Sequence, residues 1–276
     1  MPTVTRKPTG KPTRKPTGKP TRKPTGKPSP RRAMRSRERA LAALDPVMAR
    51  LIDAAGPCTL EARLERPPFE SLARAIASQQ LNGKVAERIL GRFTALFVPR
   101  EFPEPAALAT TSDIELRAVG FSFAKIRALR DLAEKVIAGV VPTTTELHTL
   151  EDNDIVERIT QVRGIGRWTV EMMLMFQLGR PDVLPVGDFG VCNGFRLAYG
   201  LKGMPTPRAL AAFGERWAPH RSLAAWYLWR AVDLSREQKL PRAGRAPRVA
   251  LKKQRAEETN VKPRRQASKR KVSARR

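Results

Sequence analysis

The 276-residue sequence is poor in cysteine and acidic residues, and it has no long apolar run. Its two cysteines, Cys58 and Cys192, lie far apart, which excludes a disulfide-stapled domain and a cysteine-ligated zinc or iron–sulfur site. No uncharged apolar segment approaches the roughly twenty residues that a membrane-spanning helix needs, and the first residues lack the apolar stretch of a secretory signal. These absences predict an intracellular protein without a membrane anchor.

The shortage of acids leaves a formal net charge of +27, with 53 Lys and Arg against 26 Asp and Glu. Residues 1–37 carry +13 and residues 241–276 carry +12, so only +2 remains for residues 38–240. A charge of this size favours a polyanionic partner. The basicity therefore belongs to two tails around a nearly neutral body.

The first tail is a repeat of the octad RKPTGKPT, which begins at Arg6 and restarts at Arg14 and Arg22. Frequent proline removes amide donors and blocks helix formation, and the repeat has almost nothing apolar to bury. We interpret residues 1–37 and 241–276 as disordered cationic arms that contact successive phosphates without selecting a sequence. A solubilising extension without a ligand is the alternative.

The body, residues 38–240, consists of segments in which apolar residues recur three and four positions apart. Examples are FESLARAIASQQ, KVAERILGRFTALF, FAKIRALRDLAEKVIAG, DNDIVERITQV and LAAWYLWRAVDLSREQ. No convincing two-residue alternation typical of a strand is present. The pattern predicts an all-α domain of about ten helices.

A glycine hairpin, RGIGRW, separates two of these helices. The first is predicted to run from about Asp154 to Val162, and the second to begin near Arg167. Unpaired amides and the positive dipole end of the second helix would bind a phosphate, and the glycines let another backbone approach. The residues predicted to face the phosphate are Gly164, Gly166, Arg167 and Thr169. A purely structural hairpin is the alternative.

Several segments together resemble the helix-hairpin-helix (HhH-GPD) superfamily of base-excision DNA glycosylases. ITQVRGIGRWTVEMML is similar to its hairpin, LPVGDFGV to the stretch that ends in its catalytic aspartate, and AIASQQLNGKVAERI to its minor-groove turn. WAPHRSLAAWYLWR is similar to the closing helix of the DNA-3-methyladenine glycosylase branch. The resemblance implies a two-lobed helical fold with a cleft, in which the N-glycosidic bond of alkylated purines, chiefly 3-methyladenine, is hydrolysed in duplex DNA.

In this resemblance the catalytic residue is Asp188. Base removal passes through a cation-like sugar, which a nearby carboxylate stabilises. The local sequence alone leaves a second role equally open, because Asp before an apolar helix is a common N-cap. Family members that also cleave the strand carry a lysine where this chain has Trp168, so we expect a hydrolase without lyase activity.

The target base must leave the helical stack and enter a pocket. Aromatic rings suit a positively charged alkylated purine, although such rings more often pack a core. The resemblance places Trp168, Trp229, Phe189 and Met172 in the pocket. Met172 replaces an aromatic residue found in some relatives, which leaves the range of substrates open.

The gap left by the extruded base is predicted to be filled by Gln80 and Leu81, for which packing at a helix end is the alternative. In relatives the hairpin carbonyls bind a monovalent cation, here those of Thr160, Val162 and Gly164. No redox or nucleotide cofactor is implied. The expected partner is damaged double-stranded DNA, bound by a monomer in the bacterial cytoplasm and nucleoid or in a eukaryotic nucleus.

Two other functions remain open at this point. One is a non-catalytic, architectural DNA-binding protein that needs neither Asp188 nor a pocket. The other is a glycosylase for deaminated or oxidised bases.

Overall fold

The computed structural model of the chain describes residues 30–62 and 66–241. In these ranges it has thirteen α-helices, one 3-10 turn and no strand, so the all-α prediction is confirmed. The number of helices exceeds the predicted ten because α5, α6 and α8 have six residues each. Such short helices do not show a periodic apolar pattern.

The helices follow one another in this order: α1 (Pro30–Leu44), α2 (Pro46–Ala55), α3 (Pro68–Ser78), α4 (Gly83–Ala95), α5 (Pro105–Thr110), α6 (Asp113–Ala118), α7 (Phe123–Ile137), α8 (Thr144–Thr149), α9 (Asp152–Ile159), α10 (Arg167–Phe176), α11 (Phe189–Ala198), α12 (Pro207–Gly214) and α13 (Arg221–Arg236). The 3-10 turn, Glu215–Trp217, lies between α12 and α13. None of the helices in the described part is long and apolar enough to span a bilayer.

Helix α1 corrects the predicted boundary between the first tail and the body. It begins at Pro30, whereas residues 30–37 were predicted to belong to the tail. Glu38 and Leu41, further along α1, are buried, and the Glu38 carboxylate accepts a hydrogen bond of 2.9 Å from the Tyr227 hydroxyl of α13. The body therefore starts earlier than predicted. Residues 1–29 and 242–276, the rest of both predicted tails, lie outside the described residues.

Nine of the thirteen α-helices in the described ranges pack in two groups around a shared hydrophobic core, and α9 packs against α10. Helices α1, α2, α11 and α13 form one group, and α3 to α7 form the other. Helices α11 and α13 approach so closely that a Cβ atom on Gly194 would lie 1.9 Å from the carbonyl oxygen of Leu228. This contact holds the middle of α11 against the middle of α13.

Candidate active site

Asp188 caps the N-terminus of α11 and also faces two tryptophans. Its Oδ1 accepts hydrogen bonds from the Val191 amide at 2.7 Å and the Trp229 indole at 2.8 Å, and its Oδ2 accepts one from the Trp168 indole at 2.8 Å. Three N–H donors thus hold one half-buried carboxylate, which lies at the positive end of the α11 dipole. The N-cap role is present, and it leaves Oδ2 outside the cap.

Three separate elements bring these groups together. Trp168 stands in the first turn of α10, Asp188 precedes α11, and Trp229 lies in α13. The Trp229 ring stacks on Phe176, with ring centroids 5.7 Å apart. A Cβ atom on Gly190 would lie 2.7 Å from Trp229 Cδ1, so glycine is needed there for the indole to reach the carboxylate.

A cavity of about 1200 Å³ opens beside Trp168. It lies between α3, α10, the segment 59–62 and α13. Its aromatic and thioether walls come from Trp168, Met172, Met173, Phe176 and Trp226. The Trp168 side chain is half exposed. Its indole lies between Asp188, to which it donates, and the cavity that it lines. An extended aromatic surface thus adjoins the oriented carboxylate.

Of the four predicted pocket residues, Trp168 and Met172 line the cavity, whereas Trp229 and Phe189 do not. Phe189 is 74 % exposed, and Trp229 is bonded to Asp188 instead. Phe176 and Trp226 also line the cavity and were not predicted from the sequence. Phe176 follows Trp168 and Met172 at the four-residue spacing that places side chains on one helix face, and this signal could have found it.

The hairpin has the predicted form, but its first helix ends at Ile159 rather than at Val162. Gly164 has a φ of 78°, in the left-handed region that favours glycine. No side chain caps α10 at Gly166, and within the described ranges the amides of Gly166 and Arg167 make no hydrogen bond. These two amides are therefore available to a phosphate. The amide of Thr169 is not, because it donates to the Gly166 carbonyl at 3.0 Å.

The first turn of α10 carries an exposed cation above a buried acid. The Arg167 guanidinium donates to Glu171 at 2.9 Å, and the Glu171 side chain is only 7 % exposed. Burial raises the pKa of Glu171, the Arg167 contact lowers it, and the charge of Asp188 raises it further. Arg167 is thus held at the hairpin by a charged partner beneath it.

The turn between α3 and α4 meets the hairpin at the rim of the cavity. Gln80 lines this cavity together with Gly164 and Gly166, and its φ of 58° is unusual for a residue other than glycine. Leu81 follows it and is 37 % exposed. The residues predicted to fill the gap therefore lie beside those predicted to bind phosphate.

Two of the three hairpin carbonyls predicted to bind a cation, those of Val162 and Gly164, already accept hydrogen bonds. The Val162 oxygen accepts from the Ile165 amide at 3.1 Å, and the Gly164 oxygen accepts from Gln79 Nε2 at 2.9 Å. A carbonyl oxygen has two lone pairs, so each can still serve as a ligand. In the described part of the chain, no cluster of three or more His, Cys, Asp or Glu side chains is placed to hold a metal.

Comparisons with known proteins show a family. The family model described as HhH-GPD superfamily base excision DNA repair protein matches residues 73–220. DNA-3-methyladenine glycosylase 1 of Schizosaccharomyces pombe is 40 % identical over 71 % of this chain and 86 % of its own length. The alkylbase DNA glycosidase-like protein mag2 of the same yeast is 31 % identical over 72 % of this chain and 94 % of its own.

Two solved structures are similar over most of the helical body. The S. pombe 3-methyladenine DNA glycosylase Mag1 in complex with abasic DNA has a TM-score of 0.63 and 39 % identity, covering 72 % of this chain and 98 % of that one. A DNA-3-methyladenine glycosidase from Bacillus halodurans has a TM-score of 0.66 and 36 % identity, covering 76 % and 92 %.

Proposed function

The chain belongs to the HhH-GPD superfamily of base excision DNA repair proteins, and we propose on this premise that it is a monofunctional DNA glycosylase for alkylated purines. It hydrolyses the N-glycosidic bond of 3-methyladenine and related bases in duplex DNA and leaves an abasic site. One observation carries this proposal: the Asp188 carboxylate is held by two indole N–H groups beside a cavity with aromatic walls.

Binding begins at the hairpin, where the free amides of Gly166 and Arg167 receive a phosphate. Gln80 and Leu81 enter the stack as the damaged nucleotide leaves it. The extruded base then lies against Trp168, at the mouth of the cavity, with its sugar beside Asp188. This order places the carboxylate next to the bond that breaks.

The chemistry needs no covalent enzyme intermediate. The bond between C1′ and the base nitrogen breaks with its electron pair going to the purine, and the cationic alkylated base leaves as a neutral molecule. Asp188 stabilises the positive charge that develops on the sugar. Water then adds to C1′, and its proton passes to the carboxylate or to solvent.

Two features support hydrolysis without strand cleavage. Trp168 occupies the position at which lyase members of the family carry an amine, and the described residues that line the cavity include no lysine. Lys125, which lies near the rim, donates to two backbone carbonyls. A Schiff base with the sugar therefore has no available nucleophile here.

A panel of duplexes that each carry one lesion tests the proposed substrate class. We expect release of 3-methyladenine and 7-methylguanine to be faster than release of hypoxanthine, uracil or 8-oxoguanine, because the walls attract cationic bases more than neutral ones. The strand should stay intact until alkali is added. Failure to release any alkylated purine rejects the proposal. Release of deaminated or oxidised bases alone supports the other specificity, and binding without release supports an architectural role.

Trp229→Phe tests whether the second indole orients the carboxylate. Phenylalanine can still stack on Phe176, but it cannot donate to Asp188 Oδ1. We expect single-turnover base release to fall about tenfold, the equivalent of one charged hydrogen bond. Thermal unfolding should be little changed. Wild-type release by this variant would show that Trp229 has no part in orienting Asp188.

The hairpin carbonyls of Thr160, Val162 and Gly164 are the donors that would hold a monovalent cation, whose charge would attract a DNA phosphate. No redox or nucleotide cofactor takes part. The protein acts as a monomer on damaged double-stranded DNA, where its two basic tails add sequence-independent affinity.

A further inference from the structure

One face of α7 contacts both loops that the proposed function assigns to DNA. Lys125, Ala128 and Asp131 follow one another at three-residue spacing on this face. Lys125 Nζ donates to the carbonyl oxygens of Ala77 at 2.7 Å and Gln79 at 2.8 Å, at the end of α3. Asp131 Oδ2 accepts from the hairpin amide of Arg163 at 2.6 Å. Helix α7 therefore holds the α3–α4 turn and the hairpin at once.

Gln79 joins the two loops directly. Its side-chain Nε2 donates to the Gly164 carbonyl at 2.9 Å, across 85 positions of sequence. Its own carbonyl is one of the two that Lys125 holds. The residue immediately before Gln80 is thus tied through its backbone to α7 and through its side chain to the hairpin.

From these contacts we propose that Lys125 and Gln79 are positioning residues that fasten the gap-filling turn to the phosphate-binding hairpin. The two loops then act as one rigid surface, so that phosphate binding and base extrusion need no rearrangement between them. This inference rests on the proposed glycosylase function. It assigns no chemical step to either residue.

The chemistry of the two residues suits this role. The carbonyls at the C-terminus of α3 carry partial negative charge, which a lysine ammonium neutralises through charge-assisted hydrogen bonds. Lys125 is half-buried, and burial lowers its pKa. Because its ammonium donates to the carbonyls of Ala77 and Gln79, it binds the backbone of the protein itself.

The backbone conformation of Gln80 explains why the contacts of Gln79 and Lys125 would matter. A left-handed backbone costs free energy in a residue with a side chain, and it persists where the neighbouring structure fixes it. The bonds on Gln79 supply that constraint one residue earlier. Without these bonds we expect the α3–α4 turn to leave its left-handed conformation. The Gln80 side chain would then no longer point toward the DNA stack.

Lys125→Met removes the two carbonyl contacts while keeping a long apolar side chain. We expect single-turnover release from a paired lesion to fall about tenfold or more, as for other small misplacements of reacting groups. Extrusion costs less when the lesion faces a mismatched base, so the defect should shrink there. A 2-aminopurine beside an uncleavable lesion analogue should report reduced unstacking. Lys202→Met, an exposed lysine on the α11–α12 connection, is the charge-matched control and should behave as wild type.

Equal losses on paired and mismatched lesions would indicate general damage to the site and would overturn the proposal, as would unchanged release and unstacking. If Lys125→Met does not fold, Gln79→Ala removes the bond to Gly164 and is held to the same comparison. Wild-type protein that releases no alkylated purine refutes the proposed function instead. In that case the difference in 2-aminopurine signal between wild type and Lys125→Met still tests whether Lys125 positions the turn.

Discussion

Asp188→Asn is expected to reduce single-turnover base release about a thousandfold or more, while binding to abasic duplex DNA persists. Losses of this size follow when a preorganised group that stabilises transition-state charge is removed. The substitution keeps the shape of the side chain and removes its negative charge. The developing positive charge on the sugar then has no counterpart in the site.

The hydrogen bonds around Asp188 make asparagine the informative replacement. Its remaining oxygen can still cap α11 through the Val191 amide and accept from Trp229, as Oδ1 does now. Its NH₂ group would replace Oδ2 and face the Trp168 indole N–H, so this one contact is lost. Because asparagine is as good an N-cap as aspartate, α11 should remain intact.

Three measurements check this expectation together: release of 3-methyladenine under single turnover, affinity for abasic duplex, and the melting temperature. Affinity for the abasic duplex should stay within about threefold of wild type if the hairpin amides supply most of the binding free energy. Release that stays above one-tenth of the wild-type rate would remove Asp188 from the mechanism. A matched loss of binding and release would instead indicate that the DNA surface had collapsed.

Gly194→Ala is expected to produce the largest loss of stability, about 3 kcal/mol or more, because it overpacks a contact with rigid backbone. The added Cβ would lie 1.9 Å from the Leu228 carbonyl oxygen and 2.5 Å from its carbon. Helices α11 and α13 would have to move apart. Since Asp188 precedes α11 and Trp229 follows Leu228, their 2.8 Å hydrogen bond should break as well.

Gly91→Ala is the control for this variant. Gly91 also lies inside a helix, α4, but a Cβ atom there would meet nothing within 4 Å. Replacing glycine by alanine at an open helical position stabilises by roughly 0.5–1 kcal/mol. The midpoint of chemical denaturation should therefore fall for Gly194→Ala and rise for Gly91→Ala. A stable, active Gly194→Ala protein would contradict the close approach of α11 to α13.

The sequence predicted the fold class well because the longer helices have an apolar period that is visible without structure. It failed at short elements and at boundaries. The body was predicted to start at residue 38 because the basic residues in the first turns of α1 resemble those of the tail. The helix begins at Pro30. The end of α9 was placed too late because Val162 is buried like a helical residue while lying in the turn.

From the sequence, only those site residues that belong to contiguous motifs could be predicted. The hairpin, Asp188 and Trp168 belong to short contiguous patterns, and the structure brings them together. The cavity depends on the relative placement of α10 and α13, which no local pattern specifies, so the sequence did not indicate that Trp226 lines it and Trp229 does not. The contacts of Lys125 and Gln79 with distant carbonyls leave no signature in the sequence for the same reason.

The early start of α1 has a practical consequence for any shortened form of the protein. Glu38 binds the Tyr227 hydroxyl, and the Tyr227 ring packs edge-on against Trp226 in the cavity wall, with centroids 4.8 Å apart. A truncation at residue 38 would leave Glu38 at a frayed terminus and loosen that wall. A deletion meant to remove only the basic arm therefore has to end before Pro30, so that the effect of lost positive charge is not confused with the effect of a damaged cavity wall.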